Sequence, residues 1–524
     1  MRTKSMGAKQ KQVIVVYDEE IGSNADGKLT APVLIICIVV ASAGVMFGYE
    51  SGIYGGVMKT EAFLKQFFPS VLRRATNEKQ DQFCVYDSKL LVGYISSLYV
   101  AGIFSALLAG RLTTSAGRKG ALIIGGMVYF IGVSLHALAV NLPMLMLGRS
   151  LIGFGLGFTN QAAPIYLVEI APTKLRGAIG TGFPLFFEIG VFIAKWIVSD
   201  LDQYKSTHEN FWRFAACLSG LPAIVMTIIA FFIPDTPSSL IQRGKIQEAL
   251  RSLNQVRSID VDTENELQYL INYHEAMKDA SEKPYQMLFE MRYRPQLLLI
   301  IGLPFFRQFT GIHLISNFWP ILYRSLAFNA KQTADTIFAK GIICFFSVIL
   351  AAYLIDRIGR KCLLLEGGIQ MFICHVALAI IMATDIGTSG NLLFSERSAF
   401  IGLILVMSAN AAFSWSWGTL NWILPSEMLS MEVRPAGQGL FLAFNLLCQF
   451  FIVQSVYPML CIFKYWAFLF YAGWMVIMTI FVILFVPETK NIPLESMDVI
   501  WRSHWYWSRF VHGTNSLLKP EINQ

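Results

Sequence analysis

Glu50 closes a run, Ala31 to Tyr49, that contains no Asp, Glu, Lys or Arg, and the chain continues FGYESGIYGGV without a polar linker. A carboxylate at the end of a lipid-length apolar run is expensive when ionised. It is a functional group by default, with a structural ion pair or an exposed rim residue as the plainer readings. Other charges recur in a pattern. Glu169 precedes Arg176 by seven residues in EIAPTKLRG, and Glu427 precedes Arg434 by seven in EMLSMEVRP. Arg118 lies in SAGRK, and Asp356 and Arg360 lie in DRIGRK. Groups of this kind at helix ends can form inter-helix ion pairs that break and re-form. They can also stand as static charges that complement helix dipoles. Their recurrence in two places favours the first reading.

The elements that must hold these residues are membrane helices. Of 524 residues, 55% are hydrophobic and only 15% charged, against roughly 25% charged in a soluble chain. Leu90–Gly110, Phe214–Pro234 and Pro435–Phe463 carry no charged side chain, and about 20 such residues span a bilayer as a helix. Twelve spans are expected, near 31–50, 90–110, 120–140, 144–168, 178–199, 213–233, 296–324, 334–355, 362–383, 400–425, 435–461 and 465–486. The first is too deep in the chain for a signal peptide and is read as retained. Arg2, Lys4, Lys9 and Lys11 in the N-terminal tail fall on one side of this layout. Arg111, Arg118 and Lys119 after the second span, and Arg357, Arg360 and Lys361 after the eighth, fall on the same side. Positive charge marks the cytoplasmic side, so both termini are expected there. The net charge of +7 then has a topological cause and does not indicate nucleic acid.

The chain divides into a cytoplasmic tail (1–30), a first six-span half (31–237), a helical cytoplasmic linker (238–294), a second six-span half (295–487) and a cytoplasmic C-terminal tail (488–524). Residues 58–89, with the amphipathic piece EAFLKQFFPSVLRR, form an outer lid. The C-terminal WRSHWYW reads equally as an interfacial anchor or a loose tail. SAGRK echoes DRIGRK, EIAPTKLRG echoes EMLSMEVRP, and PDTPSSL echoes PETKNIPL. The steps from Gly117 to Gly359, Glu169 to Glu427 and Pro234 to Pro487 are 242, 258 and 253 residues. Three ordered matches at nearly one offset indicate a duplication, and parallel six-span repeats are the build of major facilitator transporters. The expected fold is all-α, with twelve transmembrane helices in two halves. In it, Arg118, Glu169, Arg176, Asp356, Arg360, Glu427 and Arg434 form a cytoplasmic gate, each half pairing its own charges.

GRSLIGFGLGFTNQAAPIYLVEIAPTKLRGA, LIDRIGRK, LLLEGGIQMFIC, AFSWSWGTLNWILPSE, EVRPAGQG and VPETKNIPLESM resemble the sugar porters. They match the plant sugar transport protein family most closely, from about residue 30 to 510. Members are monosaccharide–proton symporters of the plasma membrane. The resemblance implies that Glu50 stands where the family has a titrating aspartate, in a GYD segment, and that Arg149 in GRSLIGFG is its partner. Burial disfavours the ionised acid and a nearby guanidinium favours it, so moving the arginine would load and unload a proton. Glu50 is one methylene longer than the family's acid. The resemblance also implies that Cys84 joins Cys461 in a disulfide on the outer, oxidising side; the remaining cysteines read as small apolar residues.

The substrate positions depart from the family. A monosaccharide needs polar partners for its hydroxyls on leaving water. Gln308, Trp422 and Asn445 keep family residues, whereas Pro184, Arg307, His313 and Cys344 replace amides. His313 reads as a neutral hydrogen-bonding residue or a pH sensor. Span ten reads WGTLNW without the family's proline, so its break is expected to be stiffer. Glu188 and Lys195 add charge seven residues apart on span five, and Arg307 adds another, for which Glu188 is a candidate partner. The expected function is symport of a monosaccharide, a hexose first, with protons by alternating access. A retuned transporter of a non-hexose, even anionic, solute stays open, as does a transport-poor sensor, although the tails are short for signalling. No P-loop, HExxH or nucleophile elbow supports an enzyme. No cofactor or metal is called for, the partners are solute, proton and lipid bilayer, and a monomer is expected.

Overall fold

The computed structural model describes residues 30–58, 60–75, 88–203, 211–257, 262–277, 284–315, 330–385, 395–463, 465–490, 492, 494 and 497–511. Among these described residues, twelve helices are long and apolar enough to cross a membrane: α1 Ala31–Ile53, α2 Lys89–Ser115, α3 Gly117–Ala137, α4 Leu142–Ile170, α5 Arg176–Val198, α6 Phe211–Ala230, α7 Met291–Ile315, α8 Asp335–Ile358, α9 Arg360–Thr384, α10 Glu396–Met428, α11 Arg434–Ser455 and α12 Trp466–Phe485. Large apolar side chains such as Phe104, Ile228, Phe346 and Ile404 stay exposed on their outer faces. That is the surface a bilayer would cover.

The packing repeats with a step of six helices. In the first half α1 packs on α5, α2 on α4, and α3 on α4 and α6. In the second half α7 packs on α11, α8 on α10, and α9 on α10 and α12. The halves meet along two seams, α2 against α11 and α5 against α8. This is the major facilitator architecture with two six-helix halves.

A glycine-rich string after Glu50 suits a close turn from the first span into the lid, but these glycines make none. The helix Ala43–Val57 runs straight through them. Gly44, Gly48, Gly52 and Gly56 recur every four residues, so they share one face. A Cβ on Gly48 would fall into the Phe187 carbonyl of α5, and one on Gly52 would meet Ala194. Gly190 of α5 answers them by lying against Val45. The stripe therefore lets α1 and α5 approach backbone to backbone.

Among the described residues, α1, α5 and α6 pause at Ser42, Thr181 and Ser219 with the backbone still in the right-handed helical region, whereas two spans of the second half leave it. The first helix of α7 stops at Gln308, and the chain passes through Gly311 at φ 71° before it resumes. α10 breaks at Ser416, with φ −117° and ψ −99°. The missing proline therefore does not make α10 continuous. Ser416 donates to the Ala412 carbonyl at 2.6 Å and Thr419 to the Ser414 carbonyl at 2.6 Å, taking up backbone acceptors at the break.

Between the halves, Pro237–Gln242, Ile246–Val256 and Thr263–Met277 form short helices around Leu240, Leu253 and Leu267. The lid residues Glu61–Phe67 and Pro69–Ala75 are also helical. The aromatic tail is ordered by packing. Trp501 and Trp507 are buried, and the indole N–H of Trp507 and of Trp505 donate to the Phe485 and Leu484 carbonyls at the end of α12.

Candidate functional site

Glu50 and Arg149 meet although they are 99 residues apart. Arg149 Nη1 donates to Glu50 Oε2 at 2.5 Å, and both residues are 3% exposed. The Tyr129 hydroxyl of α3 donates to the other carboxylate oxygen at 3.0 Å. Arg149 also lies over the Tyr94 ring, 5.7 Å from its centroid, and Tyr94 Oη shares a 2.8 Å hydrogen bond with His136 Nε2. Phe63 of the lid packs on Tyr94 and on Trp212, and with Phe67, Phe68 and Val71 covers this corner. A buried carboxylate with one charged and one neutral donor can hold or release a proton as the charged donor leaves or returns. Nothing in the local sequence singles out Tyr129, Tyr94 or His136. They sit on neighbouring apolar helices and become visible only when those helices pack. Cys84 lies outside the described residues, as does the side chain of Cys461.

The substrate candidates lie where α7, α10 and α11 pack together. Gln308 ends the first helix of α7, is 1% exposed, and its Oε1 lies 3.2 Å from His313 Nε2 across the break. Trp422 bridges the halves, with its ring against Phe47 of α1, Phe183 of α5 and Phe441 of α11. Asn445 is buried on α11. Among the described residues, Gln308 Nε2, Asn445 Oδ1 and both amide atoms of Asn421 and Gln438 have no hydrogen-bond partner. Buried amides left open in this way are what a polyhydroxylated solute would pair with. Asn421 and Gln438 thus join Gln308 and Asn445 as candidate ligands. Pro184 sits in the first turn of the helix that begins at Gly182.

Arg307 does not pair with Glu188. It lies over the Phe413 ring at 5.5 Å, and among the described residues it makes no ion pair. It falls in the last turn of the first α7 helix, where exposed carbonyls favour a cation. Cys344 lines a cleft between α5 and α8, together with Glu188, Lys195 and Lys340.

The three repeated motifs converge on one face, once in each half. In the first half Glu169 accepts from Arg118 at 2.9 Å and from the Thr236 hydroxyl at 2.6 Å. In the second, Glu427 accepts from Arg360 at 2.7 Å and from the Thr489 hydroxyl at 3.0 Å. Asp235 takes the Lys119 backbone N–H, and Glu488 takes those of Arg360 and Lys361. Gly117 (φ 85°) and Gly359 (φ 104°) pass directly beneath these carboxylates, where a Cβ would collide and where the left-handed backbone favours glycine. PDT and PET are therefore the third member of each cluster, although their sequence shows only the repetition.

The pairing is not confined to each half as expected. Arg434 reaches Glu169 of the other half at 3.5 Å. Asp356, besides its 3.0 Å pair with Arg360, accepts the Ala178 N–H of α5 at 2.8 Å. Arg176 donates to the Ile492 carbonyl at 3.0 Å, and Gln161 of α4 to the Pro435 carbonyl at 2.9 Å. On this face the halves are tied shut by bonds that cross between them. Tyr285 of the linker wedges into the α2–α11 seam against Gly110 and Gly439 and donates to the Leu107 carbonyl at 2.5 Å. Burial pushes its hydroxyl up to about 12, so it remains a donor at neutral pH.

Three kinds of likeness accompany this geometry. The model of the family "Sugar (and other) transporter" matches residues 36–501. "Sugar transport protein 5" of Arabidopsis thaliana is 43% identical over 505 residues, covering 96% of this chain and 99% of that protein. "Sugar transport protein MST3" of Oryza sativa subsp. japonica is 39% identical, covering 95% and 98%. Among solved structures, the major facilitator proton:xylose symporter XylE bound to 6-bromo-6-deoxy-D-glucose superposes with a TM-score of 0.76 at 20% identity. It covers 90% of this chain and all of that one. With the model spanning nearly every helix and the relatives nearly every residue, the chain belongs to the sugar (and other) transporter family.

Proposed function

We propose that the protein moves a monosaccharide together with a proton by alternating access. The carrying observation is the buried Glu50–Arg149 pair, closed off by the lid helices and held from a third side by Tyr129. Release of Arg149 leaves a desolvated carboxylate that takes a proton, and its return expels the proton. The solute binds between Trp422 and the open amides of Gln308, Asn421 and Asn445, with His313 beside Gln308. The face holding the two charge clusters is cytoplasmic, as are both termini, in keeping with the excess of Lys and Arg in the flanking segments. The arginine–glutamate network is the gate on that side. The membrane is the plasma membrane, the working unit is the monomer, and Cys84 and Cys461 are joined outside.

The test is uptake of labelled hexoses by transport-deficient cells expressing the chain, with and without a protonophore. Accumulation that collapses with the protonophore is expected. Uptake indifferent to it refutes coupling, and surface expression without any hexose uptake refutes the hexose assignment. A maleimide mass shift on Cys84 without reductant would rule out the disulfide.

A further inference from the structure

When Glu50 takes a proton, its charge no longer offsets Arg149, and a desolvated cation is costly without compensation. Tyr94 of α2 and His136 of α3 lie beside it, 0% and 1% exposed. The Tyr94 ring centroid is 5.7 Å from the guanidinium carbon, inside the ~6 Å at which an aromatic face attracts a cation. Its hydroxyl is tied to His136 Nε2 at 2.8 Å, and the two rings stack at 6.0 Å and 19°. A Cβ on Gly148, the residue before Arg149, would strike the His136 backbone, so the anchor of Tyr94 lies hard against the helix that carries the cation. Phe63 and Phe68 of the lid pack on Tyr94 at 5.8 and 6.0 Å. The other ionisable groups near the pair are Tyr49 of α1, Tyr99 of α2, Tyr129 of α3 and Arg213 of α6. None of these side chains carries negative charge in its ordinary form at neutral pH. On α5, Glu188 and Lys195 line the cleft toward α8, and Glu61, Lys65 and Arg73 of the lid are exposed.

We propose that the Tyr94 ring, held by His136, is the seat on which Arg149 rests while Glu50 carries its proton, and that both are positioning residues for the proton step. The inference rests on the symport reading above. Glu50 takes one proton from water on the outer side: an O–H bond forms on the carboxylate, the Arg149 N–H contact to it is lost, and no other covalent bond changes. Arg149 stays charged. The ring already underlies the guanidinium while Glu50 is ionised, so Arg149 drops the carboxylate without leaving the ring. With His136 Nε2 as acceptor, the Tyr94 hydroxyl donates, and the electron density this leaves on the phenol strengthens its hold on a cation. On the return, the guanidinium has only to re-form its bond to Glu50 to expel the proton. A neutral ring suits this place better than a second carboxylate, which would hold Arg149 permanently and leave Glu50 without its switch.

The measurement is initial uptake of labelled hexose by expressing cells against external pH, at matched surface expression. Native uptake should fall as pH rises through a midpoint. Tyr94→Leu removes the seat, so Arg149 stays on Glu50 and favours the ionised acid. Loading then needs more protons, and the midpoint should move about one pH unit to the acid side, a roughly tenfold higher proton concentration. Tyr94→Phe and His136→Leu keep the ring but lose the hydrogen bond, and should move the midpoint the same way by a smaller step. His136→Gln offers Tyr94 an acceptor again and should bring the midpoint back toward the native one. A residue that only packs would change surface expression or maximal rate and leave the midpoint in place. Midpoints that stay put, or move to the alkaline side, overturn the seat and leave symport standing. Tyr94→Phe and His136→Leu carry this test if Tyr94→Leu does not reach the surface. Native uptake that does not vary with pH, or no uptake at all, overturns the symport reading and the seat with it.

Discussion

Replacing Arg434 with Met removes one of the contacts that tie the halves. Arg434 is fully buried and reaches Glu169 at 3.5 Å, whereas Glu169 keeps its 2.9 Å pair with Arg118 inside its own half. Opening the charged face separates only the first pair. Arg434 Nη1 makes no hydrogen bond, so the contact is an ion pair only; close charge pairs across an interface couple by about 1.5–7 kcal/mol, and the water regained by Arg434 on opening offsets part of it. A bias of about 2 kcal/mol toward the closed face should therefore disappear in Arg434→Met, roughly a 30-fold rise in the open-to-closed ratio. Spin labels at Lys174→Cys and Arg357→Cys sit on exposed positions of opposite halves. With the exposed Cys217 and Cys362 changed to Ser, pulsed EPR reads their separation. A second, longer distance should grow in Arg434→Met, and in Glu169→Gln as well, because it removes the same partner across the halves. Arg434 also donates to the Leu429 carbonyl, so a thermal-shift control measures general destabilisation. A lower Tm with an unchanged distance distribution refutes the gate.

Three further outcomes are expected. Glu50→Gln keeps the shape but cannot shed a proton, so proton-driven accumulation is lost while sugar exchange in counterflow persists; retained accumulation removes Glu50 from the proton path. Tyr129→Phe deletes a donor to a buried carboxylate, worth about 1.5 kcal/mol, and should lower proton-driven uptake about tenfold at equal surface expression; wild-type uptake would make Tyr129 a packing residue only. Gly48→Ala forces a methyl against the Phe187 carbonyl, at a cost of about 1–3 kcal/mol. A fall of several degrees in Tm by thermal shift is expected, and an unchanged Tm would mean that α1 and α5 are less tightly packed than described.

The spans and the duplication were legible because both are written in local pattern: apolar length for the first, three ordered echoes for the second. The contact of Glu50 with Arg149 was legible only through the family resemblance, since nothing local links residues on α1 and α4. Other features depended on packing across large separations. Glycines 52 and 56 read as turn formers because a glycine-rich string suits a turn as well as a close helix contact, and only the opposing backbone of α5 decides between them. Lys340 drew no notice until α8 lay beside α5 and brought it to Glu188. Arg307 had Glu188 as one candidate partner because a buried guanidinium calls for a carboxylate, but it lies over an aromatic face at a helix C-terminus instead. The Trp-rich tail looked equally well ordered or loose because its order comes from the end of α12 and not from its own periodicity.

The breaks at Gln308–Gly311 and at Ser416 belong to α7 and α10, in the half that does not hold Glu50. The half that carries Glu50 and Arg149 keeps right-handed helical backbone through its pauses, and the glycine stripe sets α1 and α5 backbone to backbone. The half facing it is jointed at two points beside its amides. The protein thus sets a continuous jaw against a jointed one. Substitutions at Gln308, Asn421 or Asn445 then alter the jointed jaw without touching the residues around Glu50.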